Sequence, residues 1–326
     1  MSPLFGHEAA IAAFRAALDA KRLHHAWLVS GPQGIGKGLF ARKAALRVLA
    51  EGQGVVARPG LDVPPEHQAA RLIAAGSHPD YAQLERLPKE TGTEVARSIT
   101  IAQVRGLQRL FTTTSTYSPW RAVVIDAADD LEPGGANALL KSLEEPPPST
   151  VFLLVSHAPE RLLPTIRSRC RVLRLGPLGR GDMEGALRLA LPDAAPAEIA
   201  TLADVGGGSP GRAAAFRGLD VNGLDQAIRK IAATGDPSNQ HRSALAQSLA
   251  TKSAQPRYEA FLDRAPTFIA AAARERRGVK LADAIRLWEQ ASQLAAIATR
   301  QSFDPQATAF EMGTLLAGLA PVRGEA

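Results

Sequence analysis

Apolar residues recur along this chain in two rhythms. Over residues 6–22, GHEAAIAAFRAALDAKR, the positions Ile11, Phe14, Ala17 and Leu18 fall at helical spacing. HAWLVS (25–30), RAVVIDAADDL (121–131) and VFLLVS (151–156) each contain a short apolar run about one strand long, and CRVLRLGPL (170–178) reads as a further one. Such runs predict strands buried on both sides. Helical patterns lie between them: LFARKAALRVLAEG, closed near Gly52; ITIAQVRGLQRLF over 99–111; and GGANALLKSLEE over 134–145, stopped by Pro146, Pro147 and Pro148. Strands alternating with helices predict a parallel α/β sheet. Residues 52–98 are punctuated by Pro59, Pro64, Pro65, Pro79 and Pro88, which predicts a loop-rich excursion with one short helix.

The rhythm changes at Gly176-Pro177, beyond which no strand pattern appears. Residues 182–217 predict a small helical unit interrupted at GGGSPGR (206–212). From about 219 the pattern is helical to the end. In LADAIRLWEQASQLAAIATR (281–300), Leu281, Ile285, Trp288 and Leu294 share roughly one face. Asp304-Pro305 opens a further helix: a capping oxygen, then a first-turn residue that needs no N–H partner. Trp288, Leu294, Phe310 and Leu315 are the apolar positions to be divided between core and interface.

Composition adds only boundaries. The 326 residues are 45% apolar and 21% charged, a globular mixture large enough for two or three cores. Lys+Arg 38 against Asp+Glu 32 gives a formal charge of +6, spread along the chain, a weak pull toward a polyanion. The single cysteine, Cys170, excludes a disulfide framework and a four-cysteine zinc site. No apolar stretch approaches the ~20 residues that cross a bilayer. MSPLFGHEAAIAAF carries no basic stretch followed by an apolar core, so no secretion signal and a cytoplasmic setting are expected, with no membrane partner.

The sharpest chemistry is in SGPQGIGKGLF (30–40), which places a strand, a glycine loop and a helix in the order a phosphate loop requires. Gly31, Gly34 and Gly36 permit the backbone to wrap an anion, and Lys37 supplies a charge for the outer phosphates. The hydroxyl residue that should follow the lysine to ligate Mg²⁺ is Gly38. Asp126, at the end of an apolar strand, is the acid expected near the metal. The next residue, Ala127, offers no carboxylate to orient water. Asp129 and Asp130 are expected to cap the following turn. Two requirements of hydrolysis thus fail together, while ATP or ADP held without hydrolysis remains open.

DAADDLEPGGANALLKSLEEPPPSTVFLLVSHAPERLLPTIRSRC (126–170), with HHAWLVSGPQGIGK (24–37) upstream, resembles the clamp-loader branch of the AAA+ family. The motifs cover roughly residues 4–215; the helical last third matches by character only. The resemblance implies an α/β AAA+ P-loop domain with a parallel sheet over 1–175, a small helical lid domain over 176–218 and an all-helical C-terminal collar domain over 219–326. It also implies a hetero-pentamer of clamp-loader subunits that loads a sliding clamp, touched only indirectly, onto primer-template DNA. In such a ring one subunit supplies the phosphate loop and its neighbour an arginine finger, here Arg169 of Ser168-Arg169-Cys170. A guanidinium is always charged and bidentate, which suits charge on a transferred phosphoryl group. Taken alone, Arg169 in this arginine-rich segment reads sooner as an ordinary surface or structural ion pair, and it is the long matched segment that favours the finger. The hydrolysing members carry the hydroxyl, the acid pair and four zinc-binding cysteines absent here; His67 and His78 alone make no zinc site, so no metal is expected.

Further candidates keep two readings. Ser156, ending a strand, is either a nucleotide sensor or a hydroxyl capping the next turn. Arg212 is either a second sensor or a solvated helix start. Arg105 and Arg109, four apart, either track DNA phosphates or form an exposed charged face. For the whole chain, the competitors to a non-hydrolysing clamp-loader subunit are a catalytically active AAA+ ATPase and, far behind, a P-loop small-molecule kinase.

Overall fold

A computed structural model describes residues 2–88, 95–112, 114–301 and 303–321. Five strands, β1 (Ala26–Ser30), β2 (Tyr81–Glu85), β3 (Arg121–Asp126), β4 (Thr150–Ser156) and β5 (Arg171–Arg174), form one sheet in the order β2-β3-β4-β1-β5. Every neighbouring pair is parallel. The side chains of β4 alternate between two cores. Val151, Leu153 and Val155 join Phe14, Phe40 and Leu49 on one side. Phe152 and Leu154 join Leu139, Leu143 and Ile166 on the other. Both faces are covered at the centre of the sheet, which is why β1, β3 and β4 lack a polar alternation. This is the parallel α/β sheet expected of an AAA+ module, with helices following it.

The chain divides into two compact units, Met1–Ala215 and Phe216–Ala326. The first holds the sheet, its flanking helices and the short helices Arg180–Ala190, Pro196–Val205 and Pro210–Ala215. The described residues of the second form helices Val221–Thr234, Gln240–Leu249, Gln255–Arg274, Gly278–Gln301 and Pro305–Ala317, with one 3-10 turn.

Three sequence expectations need correction. The excursion over 52–98 contains helix Gln68–Ala74 as expected, but also β2. This edge strand buries only Leu84, so YAQLE shows neither an apolar run nor a clear alternation. Residues 99–111 are not one helix: Ile101–Gly106, opened by a Thr100/Gln103 capping box, abuts Gln108–Thr112 at Leu107. Gly106 is the weak helix former at the break. Arg105 and Arg109 stand on different short helices, both exposed.

The third correction concerns β5: CRVLRLGPL reads as a buried strand, but Arg171–Arg174 is a sheet edge that buries only Leu173. Helix Gly278–Gln301 divides the apolar positions left open between core and interface. Its buried positions are Ala284, Ala291 and Ala298, seven apart, whereas Ile285 and Trp288 are each 42% exposed. The helix packs on Gln255–Arg274. Small side chains allow close approach of two axes, so the seam follows the alanines rather than the large apolar residues. Leu294, Phe310 and Leu315 are half-buried. Asp304 caps the last helix as expected, Oδ1 accepting from Ala307 N at 2.7 Å. Ala291→Leu should overpack the seam and cost about 1–3 kcal/mol. Trp288→Ala should leave the denaturation midpoint of the isolated chain nearly unchanged; urea titrations of both variants check this.

Candidate functional site

The carboxyl ends of the strands gather the residues of interest, as parallel sheets do. Ser30 pairs in register with Ser156, so the glycine loop leaving β1 lies beside the end of β4. β3, on the other side of β4, ends at Asp126.

Gly31, Gly34 and Gly36 have φ of 147°, 78° and 101°, a backbone region that side chains resist. The loop's carbonyls are all occupied by the chain itself. Lys37 Nζ donates to Gly31 O at 2.7 Å and Pro32 O at 2.6 Å. Ser209 Oγ donates to Gln33 O at 2.8 Å and Gly211 N to Gly34 O at 2.9 Å. His7 Nε2 bonds Ile35 O at 2.8 Å. With its carbonyls anchored, the loop is held in a wrapped shape at the start of helix Lys37–Glu51. Lys37 is 3% exposed, and burial pulls its ammonium down to about 8 against the opposing pull of Asp129 and Asp126. To meet a phosphate, Lys37 must leave the loop's own carbonyls. The glycines and Lys37 fit a phosphate group.

They do not fit its metal. A Cβ on Gly38 would fall on Asp126 Oδ2, with Asp126 Cγ 3.0 Å away. The carboxylate occupies the room a Ser or Thr side chain would need. Asp126 is paired there with Arg42, Nη1 to Oδ2 3.3 Å. Arg42 was not among the sequence candidates. The signal was present, because Arg42 lies four residues after Gly38 and so rises over the same helical face. A guanidinium thus already serves as a counter-ion of Asp126. Ala127 is 4% exposed and contributes a methyl group only.

Asp129 does not cap the turn that follows it, contrary to expectation. It reaches the end of β4, accepting from Ser156 Oγ at 2.8 Å, from His157 N at 2.6 Å and from Ala158 N at 3.2 Å. Ser156, fully buried, has its hydroxyl proton committed to that carboxylate. Asp130 pairs with Arg86 at 3.1 Å. On the helix Pro210–Ala215, Arg212 N bonds Ser209 Oγ at 3.2 Å, and a Cβ on Gly34 would lie 3.0 Å from that nitrogen. The segment before Arg212 therefore packs directly on the phosphate loop.

Ser168, Arg169 and Cys170 follow the single helical turn Pro164–Arg167, well away in sequence from the glycine loop. Ser168 is exposed and the Arg169 side chain retains 34% of its surface. Arg169 Nη1 donates to Thr165 O at 2.9 Å, and Nη2 forms an ion pair with Glu144 Oε1 at 2.8 Å. The ordinary ion-pair reading of Arg169 and its surface position are thus both true of the folded chain. Cys170 packs against the second core, and burial pushes its thiol up to about 12, making it packing rather than a nucleophile.

His67 caps helix Gln68–Ala74, its Nδ1 accepting from Ala69 N at 3.2 Å. His78 is buried, its Nδ1 accepting from Asp80 N at 3.1 Å. Among the described residues no three His, Cys, Asp or Glu side chains group to hold a metal. Among the same residues, no helix is long and apolar enough to cross a membrane.

Residues 6–179 match the family model described as DNA polymerase III, delta subunit. The DNA polymerase III subunit delta' of Pseudomonas aeruginosa is 40% identical over 198 residues, 60% of this chain and 57% of that protein. The corresponding Escherichia coli subunit is 34% identical over 170 residues, 50% of this chain and 45% of that protein. The chain spans about half the length of the curated relatives it matches. A solved DNA polymerase III gamma subunit-related protein of Thermotoga maritima aligns with a TM-score of 0.39 at 15% identity, covering 94% of this chain and 98% of that one.

Proposed function

The chain belongs to the DNA polymerase III delta-subunit family, and on that premise we propose that it is a delta-prime-like clamp-loader subunit that does not hydrolyse ATP in its own pocket. It instead lends Arg169 to the ATP site of a neighbouring subunit while a sliding clamp is loaded on DNA. The observation that carries the reading is the Gly38–Asp126–Arg42 arrangement. The position of the metal-ligating hydroxyl is filled by a carboxylate already neutralised by a guanidinium. Phosphoryl transfer in this fold depends on a metal ligand and a water-orienting acid, and Gly38 and Ala127 carry no side-chain group for either task.

A nucleotide, ATP or ADP, would find the loop N–H groups and Lys37 and no partner for its Mg²⁺. The residues of this chain would hold such a molecule and not act on it. Arg169 is the group offered outward, its fork suited to the oxygens of a transferred phosphoryl group. Residues 219–326 serve as the collar in a hetero-pentamer, after the P-loop domain over 1–175 and the lid over 176–218. Arg105 and Arg109 are the candidates for sequence-independent contact with the phosphates of primer-template DNA, weakened by salt. Ser156 and Arg212 remain sensor candidates; the commitment of the Ser156 hydroxyl to Asp129 counts against the first.

The reading is tested by reconstituting the chain with its partner subunits. Arg169→Ala should lower DNA- and clamp-stimulated turnover while the assembly persists; unchanged turnover would remove the trans role. The silent pocket has its own test. Gly38→Thr restores the missing hydroxyl by displacing the Asp126 carboxylate, the end of a flexible and partly exposed side chain, so it should change stability by less than about 1 kcal/mol. With Ala127 still in place, the purified variant with Mg²⁺-ATP should release no phosphate above the wild-type level. Thermal melts and phosphate release measure the two effects.

A further inference from the structure

Arg169 sits after a single helical turn, where a long side chain with several rotors would ordinarily sample many orientations. Three acceptors on two nitrogens restrain it. Nη1 is held by Thr165 O at 2.9 Å, with Ser168 Oγ at 3.4 Å, and Nη2 by Glu144 at 2.8 Å. The first two acceptors belong to the same turn as Arg169. Glu144 does not: it closes helix Pro133–Glu144.

The place of Glu144 is itself well determined. Leu143, beside it, is 1% exposed in the second core, and its carbonyl bonds His25 Nε2 at 3.1 Å. Glu145 N returns to Lys141 O at 3.0 Å, and Pro146 ends the helix. The Glu144 carboxylate therefore stands on a fixed mount and is still half exposed. A guanidinium pinned at two nitrogens has a defined plane and keeps N–H donors for a third partner. An ion pair this exposed is weak, so it orients the group without holding it back from a polyphosphate of higher charge.

We infer that Glu144 is a positioning residue for Arg169, its carboxylate presetting the guanidinium plane for the phosphoryl group of a neighbouring subunit's ATP. The inference rests on the trans role of Arg169 proposed above. It assigns a second, purely local task to the LEEPP segment, which also terminates its helix.

The experiment is steady-state kinetics on the reconstituted assembly carrying Glu144→Ala, Glu144→Gln, Arg169→Ala or Glu144→Ala with Arg169→Ala. Loss of preorientation should lower the stimulated kcat of Glu144→Ala by about tenfold and leave KM within about twofold, since misplacing a reacting group by an ångström costs up to 10²-fold. Glu144→Gln retains an oxygen for Nη2 and should recover most of that loss. In the Arg169→Ala background, Glu144→Ala should change nothing further. A kcat unchanged or raised in Glu144→Ala overturns the inference, as does an equal loss in the Arg169→Ala background or a failure of assembly in Glu144→Gln. If Arg169→Ala lowers kcat and Glu144→Ala does not, only the positioning role falls. If Arg169→Ala itself is silent, the trans role falls and the positioning role with it.

Discussion

Arg169→Ala in the reconstituted assembly is expected to slow single-turnover ATP hydrolysis at the adjoining site by about 10³-fold, equivalent to about 4 kcal/mol of lost transition-state stabilisation. The reason is electrostatic. A guanidinium placed against the transferred phosphoryl group meets charge that spreads over its oxygens only as the reaction proceeds. Because the benefit arises in the transition state, kcat should fall while KM changes little. Arg169→Lys should recover little of the loss, since an ammonium cannot make the paired contacts of a planar fork. The residue is well suited to removal: its side chain is 34% exposed and its partners in the free chain are Thr165 O, Ser168 Oγ and a half-exposed Glu144. The fold and the assembly should therefore survive, which analytical ultracentrifugation alongside the kinetics would establish. A rate within threefold of wild type would be incompatible with a finger.

The second large effect is on stability, and it lies in the helical unit. Asp236, 2% exposed with φ 41°, joins helices Val221–Thr234 and Gln240–Leu249. Its carboxylate accepts from His241 N at 3.1 Å, Arg242 N at 2.9 Å and Arg242 Nε at 3.3 Å. Arg242 extends the network. Its Nη2 donates to Asp236 O at 2.9 Å and its Nη1 to Thr314 Oγ1 at 3.0 Å, while the guanidinium lies 5.4 Å from the centre of the Phe310 ring. One buried carboxylate thereby secures an arginine that ties helix Gln240–Leu249 to helix Pro305–Ala317. Asp236→Ala would leave the Arg242 Nε–H and the backbone N–H groups of His241 and Arg242 without their acceptor, and the guanidinium without its counter-charge, at a cost of about 3–5 kcal/mol. Urea denaturation followed by circular dichroism measures it, and Asp236→Asn, which keeps an oxygen, should lose less.

The same group sets a pH dependence. Burial alone would raise the Asp236 carboxyl, but the N–H groups of Arg242 and His241 and the Arg242 guanidinium outweigh burial and hold it below its ordinary 3.8. The folded state therefore binds that proton less readily than the unfolded chain. The contribution is complete above the unfolded value near 3.8 and is lost as pH falls through the lower folded value. Wild-type stability should drop in acid below about pH 4, and the Asp236→Ala profile should be flatter across that window.

Periodicity, punctuation and missing atoms were legible in the residues themselves. HAWLVS and VFLLVS carry no polar face because both sides of their sheet are covered. Asp304-Pro305 opens a helix because a capping oxygen and a ring without N–H are local requirements. Gly38 and Ala127 announce their deficiencies by lacking side chains. Each of these depends on a residue and its near neighbours, so the linear order suffices.

What the tertiary structure decided was which distant groups meet. Asp126 and Arg42 are 84 positions apart, and only the order of β3, β4 and β1 in the sheet puts that carboxylate over Gly38. The same holds for Asp129 with Ser156, and for Glu144 with Arg169. β2 escaped notice because an edge strand that buries one side chain leaves almost no hydrophobic signature. Trp288 drew attention by its size, whereas the helix seats on Ala284, Ala291 and Ala298 because close approach of two axes favours the smallest side chains. A one-dimensional pattern records how apolar each face is, while charge pairing and packing distance are properties of pairs, fixed only when the chain has folded.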